Sequence, residues 1–392
     1  KRQVLGGGVY GLALCLEASR QGLRTLLVER NDFGGETSWN SLRILHGGLR
    51  YLQTMDLARF RESVAARRNW ILTYPELVNP LPCVMPLYGQ GLKRPGVLRL
   101  ALAANHLLSA NRNRGVRDDR RLAAGTVLSP QELRQLFPTL DLGGAKAGAL
   151  WYDAMMPSSE RILMEMLRWA AACGATCLNY VEADRLSSDG TRVGGVICRD
   201  RTTDRELRFS TRAVVSCVGP WSRQLLGKSS QHTSDLFRPS LALNLLLDRE
   251  SLGEAAIAVT AKGNDARAFF LCPWQGRILA GTFHAALPDD PQGDLTQIRE
   301  RSVQQFLDQL NTALPELQLT QDAVLLVQAG QLPAKSNDST ELANRPIVLH
   351  LGDLDAPGGL FALSGVKFTT ARQVAEQALE ELHHYLGPPP PT

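Results

Sequence analysis

His46, Arg50 and Tyr51 stand together in "SLRILHGGLRYL", residues 41–52, around the pair Gly47–Gly48. An imidazole can accept a proton near neutral pH. A guanidinium fork grips a phosphate or carboxylate, and a phenol can hydrogen-bond the same anion. The set suits proton removal from a small anionic substrate; the plainer alternative is a packed histidine bonded to a backbone carbonyl. Gly47 and Gly48 spoil an amphipathic helix, and the charges fall on both faces of a strand. The stretch therefore predicts a loop whose bare backbone lies close to a ligand.

A second group opens the chain. In "QVLGGGVYGLALCLEASRQGLRTLLVER", Gly6, Gly8 and Gly11 form GxGxxG between a short apolar strand and a helix with Leu12, Cys15, Leu16 and Ser19 at helical spacing. Gly6 permits the sharp turn, Gly8 lets a pyrophosphate approach the backbone, and Gly11 lets helix and strand pack closely. The helix N-terminus then faces phosphate charge. Glu29, ending "TLLVE", is placed to accept hydrogen bonds from ribose hydroxyls. The βαβ context raises this above a lone glycine motif and predicts a dinucleotide, without separating FAD from NAD.

These groups need a scaffold, and 392 residues are more than one compact core usually holds, so two domains are expected. Hydrophobic residues make up 44% and charged residues 21%, the balance of a globular chain. A formal charge of +4, with no RRM, zinc-finger or OB signature, argues against nucleic acid. No apolar run reaches the roughly 18 residues of a membrane span. No secretory leader is read before "QVLGGGVYG", so the expectation is cytoplasmic, with association on the inner membrane face as the alternative. Seven scattered cysteines without a CxxC pair are read as reduced thiols, and no metal site is expected.

"RFRESVAARRNWILTYPEL" reads as a basic amphipathic helix and "PGVLRLALAANHLLSANRNRG" as a second helix. The basic residues between Lys93 and Arg121 are either a membrane-facing patch or a solvated helix end and loop, the second being favoured. Ser129, Pro130 and Glu132 form a capping box. Residues 159–200 give helix, strand, turn at Asp189–Gly190 and strand, and "TRAVVSCVGPW" is a further buried strand. Residues 241–247 and 268–282 read as sheet strands, 295–311 as helix, and the tail "GPPPPT" as disordered.

Together "GGGVYG", "ETSWNSLRILHGGLRYL", "GALWYDA", "CVGPW", "AGTFHAALPDDP" and "SGVKFTTARQVAEQAL" resemble the FAD-dependent glycerol-3-phosphate dehydrogenases, a branch of the D-amino-acid-oxidase-like flavoproteins. The resemblance covers the whole chain, and "HGGLRYL" carries the dehydrogenase branch in particular. It implies an α/β (α+β) fold: a Rossmann-like FAD-binding domain from residues 1–75, 150–232 and 353–392, with an inserted antiparallel-sheet substrate domain from 76–149 and 233–352. The chain ends near where the family's helical cap would begin, so a cap-less divergent member is expected.

By the same resemblance FAD is the cofactor. Gly6, Gly8, Gly11, Glu29 and Arg30 would hold its adenosine and pyrophosphate half, with Val181 offering backbone to the adenine. Thr37, Ser38, Ser41, Gly47, Gly48 and Gly219 would line the rest of its path. Gly365, Lys367, Phe368 and Thr369 would meet the flavin ring, where N–H groups and a lysine favour negative charge. The activity implied is hydride removal from a CH–OH carbon, with His46 as base and Arg50, Tyr51 and Lys367 at the substrate, and with a quinone as one electron acceptor. The pattern departs from the family at the opposite wall. Gly330, Gln331, Leu332 and Pro333 stand where the family has "GxRP", with a neutral Gln331 and no arginine, and "GTFH", ending at His284, replaces "GTTD". Arg345 or Lys335 would have to compensate. The substrate is then a polyol phosphate or hydroxy acid rather than necessarily glycerol 3-phosphate. An amino-acid or imino-acid oxidase and a catalytically lapsed flavin-binding subunit are the competing readings.

Overall fold

The computed structural model describes residues 2–89, 91, 94–227, 236–260, 268–288, 295–337 and 339–387; Lys93 and the end of the proline-rich tail lie outside them. Strands β1 (Arg2–Leu5), β2 (Thr25–Val28), β7 (Thr176–Leu178), β11 (Val214–Ser216) and β18 (Leu360–Ser364) run parallel in the order β18-β11-β1-β2-β7. β17 (Ile347–His350) adds antiparallel to β18. Successive side chains of these strands face opposite ways, which sorts them into two cores. Val4, Leu27, Val215, Phe361 and Leu363 pack on α1 (Val9–Arg20), α6 (Ser159–Ala172) and α9 (Ala371–Leu386). Leu5, Val28, Val214, Leu360 and Ala362 pack on the three-stranded antiparallel sheet of β8 (Val181–Ser188), β9 (Val193–Asp200) and β10 (Glu206–Ser210).

The second body is a nine-stranded sheet. Its path is β16 (Val324–Pro333), β12 (Pro239–Glu250), β15 (Arg277–Ala286), β14 (Ala268–Trp274), β13 (Ala256–Thr260), β4 (Asn79–Leu87), β6 (Ala147–Met155) and β3 (Ile44–Leu45), with β5 (Thr126–Leu128) also on β6. All pairings are antiparallel except β13 with β4. α8 (Leu295–Ala313) and α5 (Pro130–Leu136) cover one face through Phe306, Leu307, Leu310 and Leu133, and α4 (Pro95–Leu108) lays Leu98 and Leu102 on the other. The capping box of α5 is formed: Ser129 Oγ accepts from the Glu132 N–H at 3.3 Å, and Glu132 Oε2 accepts from the Ser129 N–H at 2.7 Å.

Two expectations are corrected. β17 pairs within the parallel sheet although it precedes residue 353, while β3 and the end of β6 belong to the large sheet, so strand pairing moves the domain joins. The stretch 41–52 is not one loop. Ile44–Leu45 form β3 and Leu49–Gln53 form α2, with Gly48 between them at φ +81°. The basic helix is α3 (Leu57–Thr73), and its Arg67, 5% exposed, turns into the interior.

Candidate active site

A cleft of about 1660 Å³ runs between the two bodies, above the usual 300–1,000 Å³ of a drug-sized pocket. One end begins at the glycine turn. Gly6 has φ +94°, and a Cβ on Gly11 would lie 1.9 Å from the Gly6 carbonyl oxygen, so turn and helix touch through bare backbone. Val9 N–H donates to Ser38 Oγ at 2.9 Å, which satisfies one of the first-turn donors of α1. Glu29 accepts from the Gly7 N–H at 2.7 Å and from the Asn31 N–H at 2.8 Å, so it fastens the turn. Arg30 lies over the Trp221 ring, 3.8 Å from its centroid. Thr37 Oγ1 exchanges 3.2 Å hydrogen bonds with the backbone of Gln331, sewing this end to β16.

At the other end β3 delivers His46, and β6 delivers Asp153 beside it. His46 Nδ1 is 3.0 Å from Asp153 Oδ2. The same carboxylate accepts from the Gly47 N–H at 2.7 Å, from Arg67 Nη1 at 2.6 Å and from Trp151 Nε1 at 3.2 Å. Burial alone would raise the Asp153 pKa, but His46, Arg67 and the Gly47 N–H outweigh it and hold the carboxyl well below the usual range. An ionised carboxylate only accepts hydrogen bonds, so His46 Nδ1 carries the proton toward Asp153 and Nε2 is turned away from it. The His46 ring leans on Phe270 at 5.3 Å.

The glycine pair has a different cause from the expected one. A Cβ at Gly47 would meet the Arg67 guanidinium at 2.1 Å, and one at Gly48 would meet Ser63 at 2.8 Å. Glycines there admit α3 rather than only a ligand. Lys367 Nζ touches the Tyr51 hydroxyl and sits 4.5 Å from the centroid of its ring. The backbone of Lys367 is pinned in turn by Tyr10, whose hydroxyl donates to the Lys367 carbonyl at 2.6 Å and accepts its N–H at 2.9 Å.

Gly6, Gly8, Glu29, Arg30, Thr37, Ser38, Ser41, His46, Gly48, Arg50, Tyr51, Val181, Gly219, Gln331, His284, Gly365, Lys367, Phe368 and Thr369 all line this cleft. Gly11 and Gly47 do not; they act behind the wall, as close-packing positions. Arg345, expected at the substrate, is exposed outside the lining, because the chain leaves the cleft at Asn344 to enter β17. Lys335 is paired with Glu341 at 3.2 Å and is also outside it. Asp153, Arg67 and Arg43 are the residues the sequence reading missed. A lone aspartate inside the buried apolar run "GALWYDAM" was the available signal for the first. Arg43 is 1% exposed, bonds Glu160 at 2.8 Å and stands over Trp274 at 4.3 Å. Among the described residues no cluster of three or more His, Cys, Asp or Glu could hold a metal.

The glycine turn, the fastened acid and the imidazole–carboxylate pair on this scaffold define a flavin-dependent oxidoreductase, and the chain belongs to the FAD-dependent oxidoreductase family, whose model matches residues 3–378. Within that family it falls with the glycerol-3-phosphate dehydrogenase group. It is 27% identical to the glycerol-3-phosphate dehydrogenase of Synechocystis sp., over 99% of this chain and 71% of that protein. It is 30% identical to glycerol-3-phosphate dehydrogenase 1 of Mycobacterium bovis, over 96% of this chain and 71% of that one. With an alpha-glycerophosphate oxidase of Streptococcus pyogenes it shares 29% identity over 86% of this chain, which spans 54% of that relative's length. The fold matches the solved glycerol-3-phosphate dehydrogenase from Bacillus halodurans, complexed with FAD, at a TM-score of 0.72 and 22% identity, over 100% of this chain and 66% of that one.

FAD is the family's cofactor, and the residues present fit it. Ser41 Oγ and the Arg43 Nε and Nη2 atoms are buried beside the cleft without a hydrogen-bond partner among the described residues, which suits an acceptor-rich group. The bare glycine turn at the start of α1 suits a pyrophosphate. Gly11→Ala forces the turn away from the helix, so the purified variant is expected to lose its yellow flavin absorbance while keeping its far-UV circular dichroism. Full retention of flavin would refute this role for Gly11.

Proposed function

We propose that this protein oxidises the CH–OH carbon of a small anionic substrate, a polyol phosphate such as glycerol 3-phosphate or a hydroxy acid. The observation that carries the reading is the His46–Asp153 pair at 3.0 Å. FAD, when bound, supplies the hydride acceptor. His46 Nε2 takes the hydroxyl proton, and Asp153 fixes the tautomer and stabilises the imidazolium that results. Arg50, beside Tyr51 in the chain, and Lys367, which touches the Tyr51 hydroxyl, both line the cleft, and they bind the anion. Gln331 supports an altered substrate. It lines the same cleft as a neutral amide, so it contributes hydrogen bonds without charge. An acceptor of the quinone class receives the electrons; the relatives include proteins named as dehydrogenases and others named as oxidases.

Asp153→Asn leaves Nδ1 without a charged acceptor. Turnover should fall by about 10²–10⁴-fold, with the Michaelis constant changing far less. Wild-type turnover in this variant would remove His46 from the base role. Arg50→Gln should raise the Michaelis constant for an anionic substrate by roughly 10–100-fold, the loss of one charge-assisted bond. An unchanged constant would place the anion elsewhere.

Peripheral membrane contact is the second reading, and one surface favours it. No helix of the described residues is long and apolar enough to cross a membrane. Met55 at 76% exposure, Leu100 at 75% and Leu107 at 74% nevertheless stand together on α2's end and α4, and Met55 and Leu100 also line the mouth of the cleft. The basic stretch beyond them is exposed but partly neutralised by ion pairs: Arg117 bonds Glu76 and Asp119 at 2.5 Å, and Arg120 donates to the Pro75 carbonyl at 2.6 Å. Sedimentation with anionic vesicles should therefore depend on the apolar residues and drop sharply in Leu100→Asp. Equal sedimentation of the variant would exclude this face.

A further inference from the structure

A second cavity, of about 510 Å³, opens on the helical face of the parallel sheet between α1, α3, α6 and α9. Its size is that of a small-molecule site. One wall is a run of rings. Trp70 and Tyr74 stack at 5.6 Å and 26°, Tyr74 and Trp169 at 5.1 Å and 15°, and Trp70 reaches Phe368 at 5.4 Å. Such faces suit a flat aromatic guest.

The polar atoms beside the rings are specific in kind. Asn69, Thr73 and Tyr74 all line the cavity from α3 and its C-terminal end. None of their side chains makes a hydrogen bond among the described residues, so an amide N–H and two hydroxyls are available as donors. Burial pushes the Tyr74 hydroxyl up, so it keeps its proton at neutral pH. The charges at the rim satisfy one another, since Glu17 accepts from Arg20 and from Arg372, each at 3.1 Å. The matching ligand is flat, aromatic and uncharged, with carbonyl oxygens at its edge.

The cavity also has a defined relation to the cleft. Thr369 lines both, and its carbonyl accepts the Trp70 Nε1 hydrogen at 2.7 Å. A wall one residue thick, Phe368–Thr369, separates the two spaces. We propose that this cavity is a binding site for a quinone-class ring, held by Asn69, Thr73 and Tyr74 against the aromatic stack and across the Phe368–Thr369 wall from the FAD cleft. The assignment deepens the reading of a quinone-class acceptor and rests on it for its biological sense, although the binding itself can be measured alone.

The test is calorimetric titration of the flavin-loaded protein with 2,3-dimethyl-1,4-naphthoquinone. Its quinone ring is fully substituted, so the exposed Cys173 thiol on the lining has no open ring position to attack. One site is expected, insensitive to saturating inorganic phosphate, an anion that the flavin cannot oxidise. Ala172→Trp, at an exposed position of the lining, should fill the cavity and weaken binding at least tenfold. Thr73→Val should weaken it roughly threefold, with melting temperature unchanged. Wild-type affinity in Ala172→Trp, or displacement by inorganic phosphate, overturns the site. Binding that Ala172→Trp abolishes, without reduction of the quinone by substrate-treated protein, upholds the site and sinks only the acceptor reading. Reduction of the quinone at an unchanged Michaelis constant in Ala172→Trp upholds the acceptor reading and overturns the site.

Discussion

The buried carboxylate of Asp153 holds the reactive end of this protein together. It is 3% exposed, and taking an isolated charge that far from water is costly. The cost is offset by four donors brought from separate places: the His46 imidazole, the Gly47 N–H, the Arg67 guanidinium and the Trp151 indole. Those donors come from the β3 segment, α3 and β6. The ion thus fixes how α3 sits on the large sheet, and it fixes the proton on His46 Nδ1. One interaction sets both a packing geometry and a tautomer, so the His46 imidazole cannot be repositioned without leaving a charge unpaired. The bare backbone at Gly47 follows from the same node, because any side chain there would collide with Arg67.

The other half of the site is kept in register by contacts that cross between the two bodies. Thr37 grips the backbone of Gln331 on β16, and Asn244 on β12 donates to the Asn40 carbonyl at 2.8 Å. Tyr10 on α1 clasps the backbone of Lys367, while Trp70 on α3 holds the carbonyl of Thr369. The segment 365–369 is therefore tied on one side to the helix that follows the glycine turn and on the other to the helix that carries Arg67. A flat cofactor laid along this cleft meets walls whose spacing is set by side-chain hydrogen bonds to backbone, the kind of contact that tolerates little drift.

Much of this was legible in the chain itself. The turn from Gly6 to Gly11, the strand that ends at Glu29 and the helix between them follow from local rules of spacing and sterics. The capping box at Ser129 is as local, and it formed as written. The 41–52 stretch was harder. Its residue types pointed to chemistry, but its shape was misjudged, because the reason for two adjacent glycines lies on α3, some twenty residues further on. Arg345 was misplaced for a related reason: its neighbours gave no sign that the chain would leave the cleft to pair β17 with β18.

The sequence by itself determined the dinucleotide turn, which rests on residue type and short-range periodicity, and the reaction class, which rests on the family resemblance of motifs such as "HGGLRYL". Tertiary structure alone decided which groups meet. Asp153 lies 107 positions from His46, and Lys367 lies 316 from Tyr51. No local rule joins such pairs. They meet because β3 and Asn79–Leu87 both pair with Ala147–Met155, and because the last parallel strand returns Lys367 to the helix that began the chain.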